Sequence, residues 1–189
     1  YLIIPDASTR QAALRSAKID VLSFNPEDSV SLRKLLPVLK ELVGRGSDTI
    51  SLPTVNWRTD LPPFNDVRVR QALMMAIDFK GLNDGFFNGQ GTYPTRPFAY
   101  SVDYTDLFMG LDDPRMTPEV KELWSYNTEK AKQLLKESGY PSGFKTSVVV
   151  TSTQVDTWSI YKDMWSKVGI ELVLNVMDTG PYNGIVNGR

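Results

Sequence analysis

The clearest alternation of apolar and polar positions lies in the last third of the chain. Residues 146–151 carry three consecutive valines, Val148, Val149 and Val150, the composition of a strand covered on both faces. Residues 153–168 place Val155, Trp158, Tyr161, Trp165 and Val168 on one side of a helix that Gly169 closes. Ile170, Leu172, Leu174 and Val176 then alternate with Glu171, Val173, Asn175 and Met177 as a second strand. Strand, helix and strand in that order predict a parallel pair joined by a right-handed crossover, and therefore an α/β domain.

Upstream, Ser8 or Thr9 is expected to cap a short helix reaching Ser16, followed by a short extended segment over 18–22. Residues 1–4 read as the end of a strand. Leu32, Leu35, Leu36, Leu39 and Val43 have the three- and four-residue spacing of one helix face, predicting a helix over 27–43 that Pro37 kinks or splits. Residues 49–55 read as a strand, weakened by Pro53. Leu61-Pro62-Pro63-Phe64-Asn65 is a stiff lead-in to a helix capped by Asp66, with Val69, Leu73, Ala76 and Ile77 facing inward and Met74 and Met75 on other faces. From 81 to 124 periodicity fails among glycines, prolines and aromatics, and a loop of that length tends to carry function. Asn127 or Thr128 caps a further helix with Ala131, Leu134 and Leu135 on its apolar side. Gly139, in the left-handed conformation, and Pro141 end it.

Composition narrows the chemistry. The 189 residues carry a formal net charge of -1, which favours neither nucleic acid nor an anionic membrane surface as partner. The chain has no cysteine and no histidine. Thiol nucleophiles, thiolate metal sites, Ser-His-Asp triads and histidine-ligated zinc are thereby excluded for these residues. No cofactor is implied. Tyr1-Leu2-Ile3-Ile4-Pro5 does not read as a signal peptide, so the chain is expected to begin after a removed signal or inside a longer protein.

The string Pro62-Pro63-Phe64-Asn65-Asp66-Val67-Arg68-Val69-Arg70-Gln71-Ala72-Leu73, followed by Ala76-Ile77-Asp78, resembles the family 5 extracellular solute-binding proteins. These are the oligopeptide, dipeptide and nickel binding components of ABC importers. Three more segments resemble the family in the same order along the chain. They are Ala12 to Asp20, with Ala17 where glycine is usual, Ala131 to Tyr140, and Lys167-Val168-Gly169-Ile170-Glu171-Leu172. The resemblance implies a periplasmic-binding-protein type II-like lobe containing the parallel βαβ unit. It also implies a division into the end of a first lobe (1–24), a crossover and hinge segment (25–60) and a distal lobe (61–189), truncated before the return to the first lobe. The partners it implies are a peptide or other small solute and a membrane ABC permease with its ATPase on the far side. The implied location is periplasmic or extracellular, with membrane association through a lipid anchor or the transporter.

Open α/β sheets bind ligands outside the carboxyl ends of their strands, and three loops are expected there. Asn56, Trp57 and Arg58 offer an amide, an aromatic face and a fork for a carboxylate. Ser152 and Thr153 offer hydroxyls beside free helix amides. Asp178 and Tyr182 follow the second strand; peptide-binding relatives often have a tryptophan near here, whereas this chain has Thr179 and Tyr182. Tyr93, with Phe98, Tyr100 and Tyr104, is a candidate stacking surface. The expected function is solute binding without turnover. Two alternatives remain at this point: a sensor or regulatory protein built on the same lobe, and a hydrolase using Asp103 with Asp106, or Asp112 with Asp113, converging with a raised pKa.

Overall fold

The structure is a computed structural model that describes residues 4, 6–23, 26–40, 55–87, 89, 91 and 105–188. The chain divides into two compact units, Tyr1–Gly44 and Arg45–Arg189.

In the first unit, α1 spans Ala7–Arg15 and α2 spans Pro26–Leu35. The cap of α1 is Asp6, not Ser8 or Thr9: its carboxylate accepts from the backbone N–H of Thr9 at 2.7 Å and from the Thr9 hydroxyl at 2.6 Å. A carboxylate three residues ahead of an amide reaches that orphan donor, so the helix begins earlier than the hydroxyl residues suggest. It ends with the N–H of Lys18 bonded to the carbonyl of Ala13 (2.9 Å) and that of Ala17 to Leu14 (3.0 Å). Residues 18–22 form no strand. The second helix stops well short of 43. Pro37 has no N–H to donate and crowds Leu36 out of helical geometry. Leu32 is buried, but Leu35 is 63% exposed, so only part of the predicted apolar stripe turns inward; Val43 lies outside the described residues.

The second unit holds α3 (Val67–Met75), α4 (Phe79–Phe86), α5 (Pro118–Leu123), α6 (Thr128–Glu137), β1 (Phe144–Val150), α7 (Val155–Ser166), β2 (Ile170–Val176) and α8 (Thr179–Asn187). Asp66 caps α3 as its position predicts, accepting from Arg68 N at 2.8 Å. Val69, Ala72, Leu73, Met75, Ala76 and Ile77 are all buried, so α3 packs on more than one side. One neighbour is α6, through Ala131 and Leu135. Asn127 caps α6 by accepting from Lys130 N at 3.0 Å, while its own N–H donates to Met75 O at 2.9 Å. One residue thus starts α6 and satisfies a carbonyl at the end of α3. Gly139, at φ +89, closes α6, with Tyr140 N bonded to Leu135 O at 2.8 Å.

Two helices occupy the stretch where periodicity failed. Asp78 caps α4 through Gly81 N at 2.8 Å, and Phe79 and Leu82 are buried. Gly81 and Gly85 weaken helix propensity, but burial of these apolar side chains outweighs them, at about 1.5–3 kcal/mol for each fully buried large one. Pro118 opens α5 at a position where a missing N–H costs nothing.

The two strands pair in parallel, in register from Phe144 opposite Ile170 to Val150 opposite Val176, as the strand–helix–strand order predicts. Trp158, Tyr161 and Trp165 of α7 are buried in the same core as Ile170 and Leu172. Val148 and Val149 are only half-buried, so the covering of both faces expected for the valine run is not met among the described residues. The outward side instead carries an exposed Lys145–Glu171 ion pair. Of the strand expected over 49–55 only Val55 is described, half-buried against the core.

Candidate ligand-binding edge

In a parallel pair both strands deliver their carboxyl ends to one edge. The N–H of Met177 donates to Val150 O at 3.0 Å, extending the ladder to that edge and setting the two exit segments side by side. Strand β1 leaves through a 3₁₀ turn, Ser152–Gln154, into α7; β2 leaves through Asp178 into α8.

The first exit is braced from within. Thr151 N donates to Gln154 Oε1 at 2.9 Å, and the hydroxyls of Thr151 and Thr153 lie 3.0 Å apart. Ser152 and Thr153 are exposed. Thr151 followed three residues later by Gln154 is a recognisable helix-start signature in the sequence. In the second exit Asp178 has the extended backbone of a cap (φ -66, ψ 155), yet its side chain makes no capping bond to α8. Asp6, Asp66 and Asp78 all cap their helices. The Asp178 carboxylate is exposed and is the only charged side chain in segments 151–154 and 178–182. Tyr182 is half-buried, its N–H donating to Asp178 O at 3.1 Å. Hydroxyls, helix-terminal amides, one carboxylate and one phenol therefore share the edge. That set can hydrogen-bond a polar solute but supplies no activated nucleophile.

The third expected loop lies elsewhere. Trp57 packs its ring 5.0 Å from Phe64 and 5.9 Å from Trp165, and Phe64 in turn lies 6.0 Å from Phe144, the first residue of β1. Trp57 therefore stands at the amino end of the sheet, about 20 Å of strand from the carboxyl edge. The physical reason is burial: a large ring gains more by joining an aromatic core than by waiting in solvent. Arg58 forks onto Asp60 with bonds of 2.7 and 2.6 Å, and Asn56 is exposed. Tyr93, Phe98, Tyr100 and Tyr104 lie outside the described residues.

The Asp112–Asp113 pair does not assemble as a hydrolase requires. Asp113 accepts the guanidinium of Arg115 (Nη2–Oδ2 2.7 Å), and that charge-assisted bond lowers its pKa to about 2, opposite to the shift a general acid needs. Asp112 and Asp106 are exposed, and Asp103 lies outside the described residues. Among the described residues no group of three or more carboxylates is placed to hold a metal ion, and no helix is long and apolar enough to cross a membrane.

The profile of the bacterial extracellular solute-binding proteins, family 5 Middle, matches residues 1–188. Heme-binding protein A of Haemophilus influenzae is 33% identical over 145 residues, covering 76% of this chain and 24% of that protein. The glutathione-binding protein GsiB of Pectobacterium atrosepticum is 27% identical over 189 residues, covering 98% of this chain and 34% of its own length. Among solved structures, the ABC transporter-associated periplasmic binding protein DppA from Helicobacter pylori, in complex with the peptide STSA, superposes with a TM-score of 0.72. It is 27% identical, and the match covers 95% of this chain and 32% of that one. The chain thus spans from about a quarter to a third of the length of these relatives. A family profile matched along nearly the whole chain, and a fold shared with a peptide-bound periplasmic protein, lead to one assignment: the chain belongs to the bacterial extracellular solute-binding proteins of family 5.

Proposed function

We propose that the protein containing this chain is the substrate-binding component of an ABC importer. It would hold a peptide or similar small solute between two lobes and deliver it to the membrane permease without turning it over. The observation that carries this reading is the pairing of the two exit segments at one sheet edge by the Met177–Val150 bond, which supports Ser152, Thr153, Asp178 and Tyr182 as the proposed ligand contacts of this lobe. Relatives named for heme, glutathione and peptide binding support a solute-binding role. The same relationship favours a periplasmic or extracellular location, with membrane association through a lipid anchor or the transporter. Asn56, Trp57 and Arg58 stand apart from this edge and are not part of the proposed contact set.

The test is a thermal-shift screen of the full-length protein against short peptides including glutathione, heme, and metal chelates. A ligand held only by the native state at a hundred times its Kd stabilises by about 2.7 kcal/mol. One ligand class is expected to raise Tm saturably and to be recovered chemically unchanged. Asp178→Ala and Ser152→Ala are expected to weaken that response while leaving the ligand-free Tm in place. Turnover of the ligand, or a response indifferent to both substitutions, would overturn the reading.

A further inference from the structure

The first unit, Tyr1–Gly44, is near the size, about 40 residues, below which a chain seldom buries enough surface to hold itself together. Its side chains show the shortage. Among the described residues its buried apolar side chains are Leu14 and Leu32, and neither joins the core of the second unit. Val21 is 86% exposed and Val38 84%.

Helix α1 carries a groove on its open side. Thr9, Ala12, Ala13 and Ser16, three and four residues apart, share one helix face. Ile4 ahead of the helix and Ile19 behind it complete the walls of an open groove of about 290 Å³. Bonds fix both ends: the Arg10 guanidinium donates to Ile4 O at 2.8 Å, and Lys18 N donates to Ala13 O at 2.9 Å. The lining hydroxyls are already engaged. That of Thr9 donates to Asp6 Oδ1 at 2.6 Å, and that of Ser16 to Ala12 O at 2.9 Å. Lys18, the one charged lining residue, is exposed. A groove whose hydroxyl donors bond within their own helix and its cap offers little to a polar solute. Its walls of isoleucine and alanine favour apolar side chains, whose burial is the main gain of packing.

The known relatives are several times longer than this chain, and a unit this short of core gains most from further chain packed on it. We propose that the α1 groove, with Val21 two residues beyond its Ile19 wall, is an internal docking seat. Apolar side chains from a part of the same polypeptide outside these 189 residues fill it and complete the core of the first unit. The seat goes beyond the solute-binding reading and does not depend on it.

The test uses single cysteines in the full-length protein, since these 189 residues contain none. Glu129, whose side chain is 82% exposed, serves as the control. In the folded protein Ala13→Cys and Val21→Cys are expected to react with a thiol reagent more than about tenfold more slowly than Glu129→Cys, because a covered thiol waits on local opening. In denaturant the three rates are expected to be equal. Hydrogen exchange needs no substitution: α1 amides are expected to exchange as slowly as those of α6, whereas an unpacked nine-residue helix frays. Equal labelling of the three thiols in the folded protein, or fast exchange along α1, would overturn the proposal. So would protection that disappears on dilution, which marks a second copy as the occupant, or protection that appears only when solute is bound.

Discussion

The indole N–H of Trp165 donates to the backbone carbonyl of Leu73 at 2.8 Å across 92 residues of sequence. Leu73 lies in the last turn of α3, where carbonyls lack partners within the helix. The crossover helix of the βαβ unit thereby completes the end of the helix that follows the Pro-Pro-Phe-Asn-Asp string. Trp165→Phe removes the donor, leaves a buried carbonyl unpaired and shrinks the packed ring. A loss of about 2–4 kcal/mol is expected, read as a lower midpoint in denaturant unfolding of the full-length protein.

The start of the sheet depends on two glycines in contact. A Cβ on Gly143 would lie 1.9 Å from Gly169 O, and Gly143 has φ +77. Gly139 has a similar φ, +89, but open space around it. Gly139→Ala is expected to cost about 1–2 kcal/mol from backbone strain alone. Gly143→Ala adds a collision between backbones and is expected to exceed about 3 kcal/mol. Equal unfolding midpoints for the two variants would contradict this account.

Ala17 is the opposite case. It sits at φ +53, closing α1 with the bond pattern that glycine normally serves. Ala17→Gly relieves the left-handed strain but raises the entropy of the unfolded chain. The net expected gain is up to about 1 kcal/mol, visible as a higher unfolding midpoint of the full-length protein.

Arg115 holds Asp113 at a pKa of about 2, below its ordinary 3.8. A depressed carboxylate contributes stability that is fully present above about pH 4 and is lost as pH falls through the folded-state pKa near 2. Carboxyl chemical shifts followed by NMR should show Asp113 titrating near pH 2 in the wild type. In Arg115→Gln the midpoint should move up toward the ordinary value. Arg115 is exposed to solvent, so high salt should also raise the midpoint.

Much of this molecule is written in short-range signals. Asp66, Asn127 and Gly139 mark helix ends through bonds to residues within a few positions of themselves, and a chain reader meets cap and orphan amide together. The order of valine run, apolar helix face and alternating strand determines the parallel pair, because no short connection can join parallel strands. The resemblance of the Pro62 to Leu73 string determines the family. Where glycine interrupts an apolar pattern, as in α4, local propensity points away from helix and only the core around Phe79 and Leu82 reverses it. Where proline cuts a pattern, as at Pro37, the continuing leucine spacing is misleading, and Leu35 ends up in solvent.

The site divides in the same way. Ser152, Thr153, Asp178 and Tyr182 could be placed at one edge from sequence, since each immediately follows a strand of the parallel pair. Trp57 could not. Its position is set by Phe64 and Trp165, the second of them far along the chain, and nothing local to residues 56–60 reveals which end of the sheet they face. The sequence by itself determined the strand–helix–strand unit, the caps of α3 and α6 and the family, because those follow from steric preference and spacing among neighbours. The tertiary structure decided which aromatic joins the core and which polar groups are left at the edge, because burial is a contest among residues that meet only when the chain has folded.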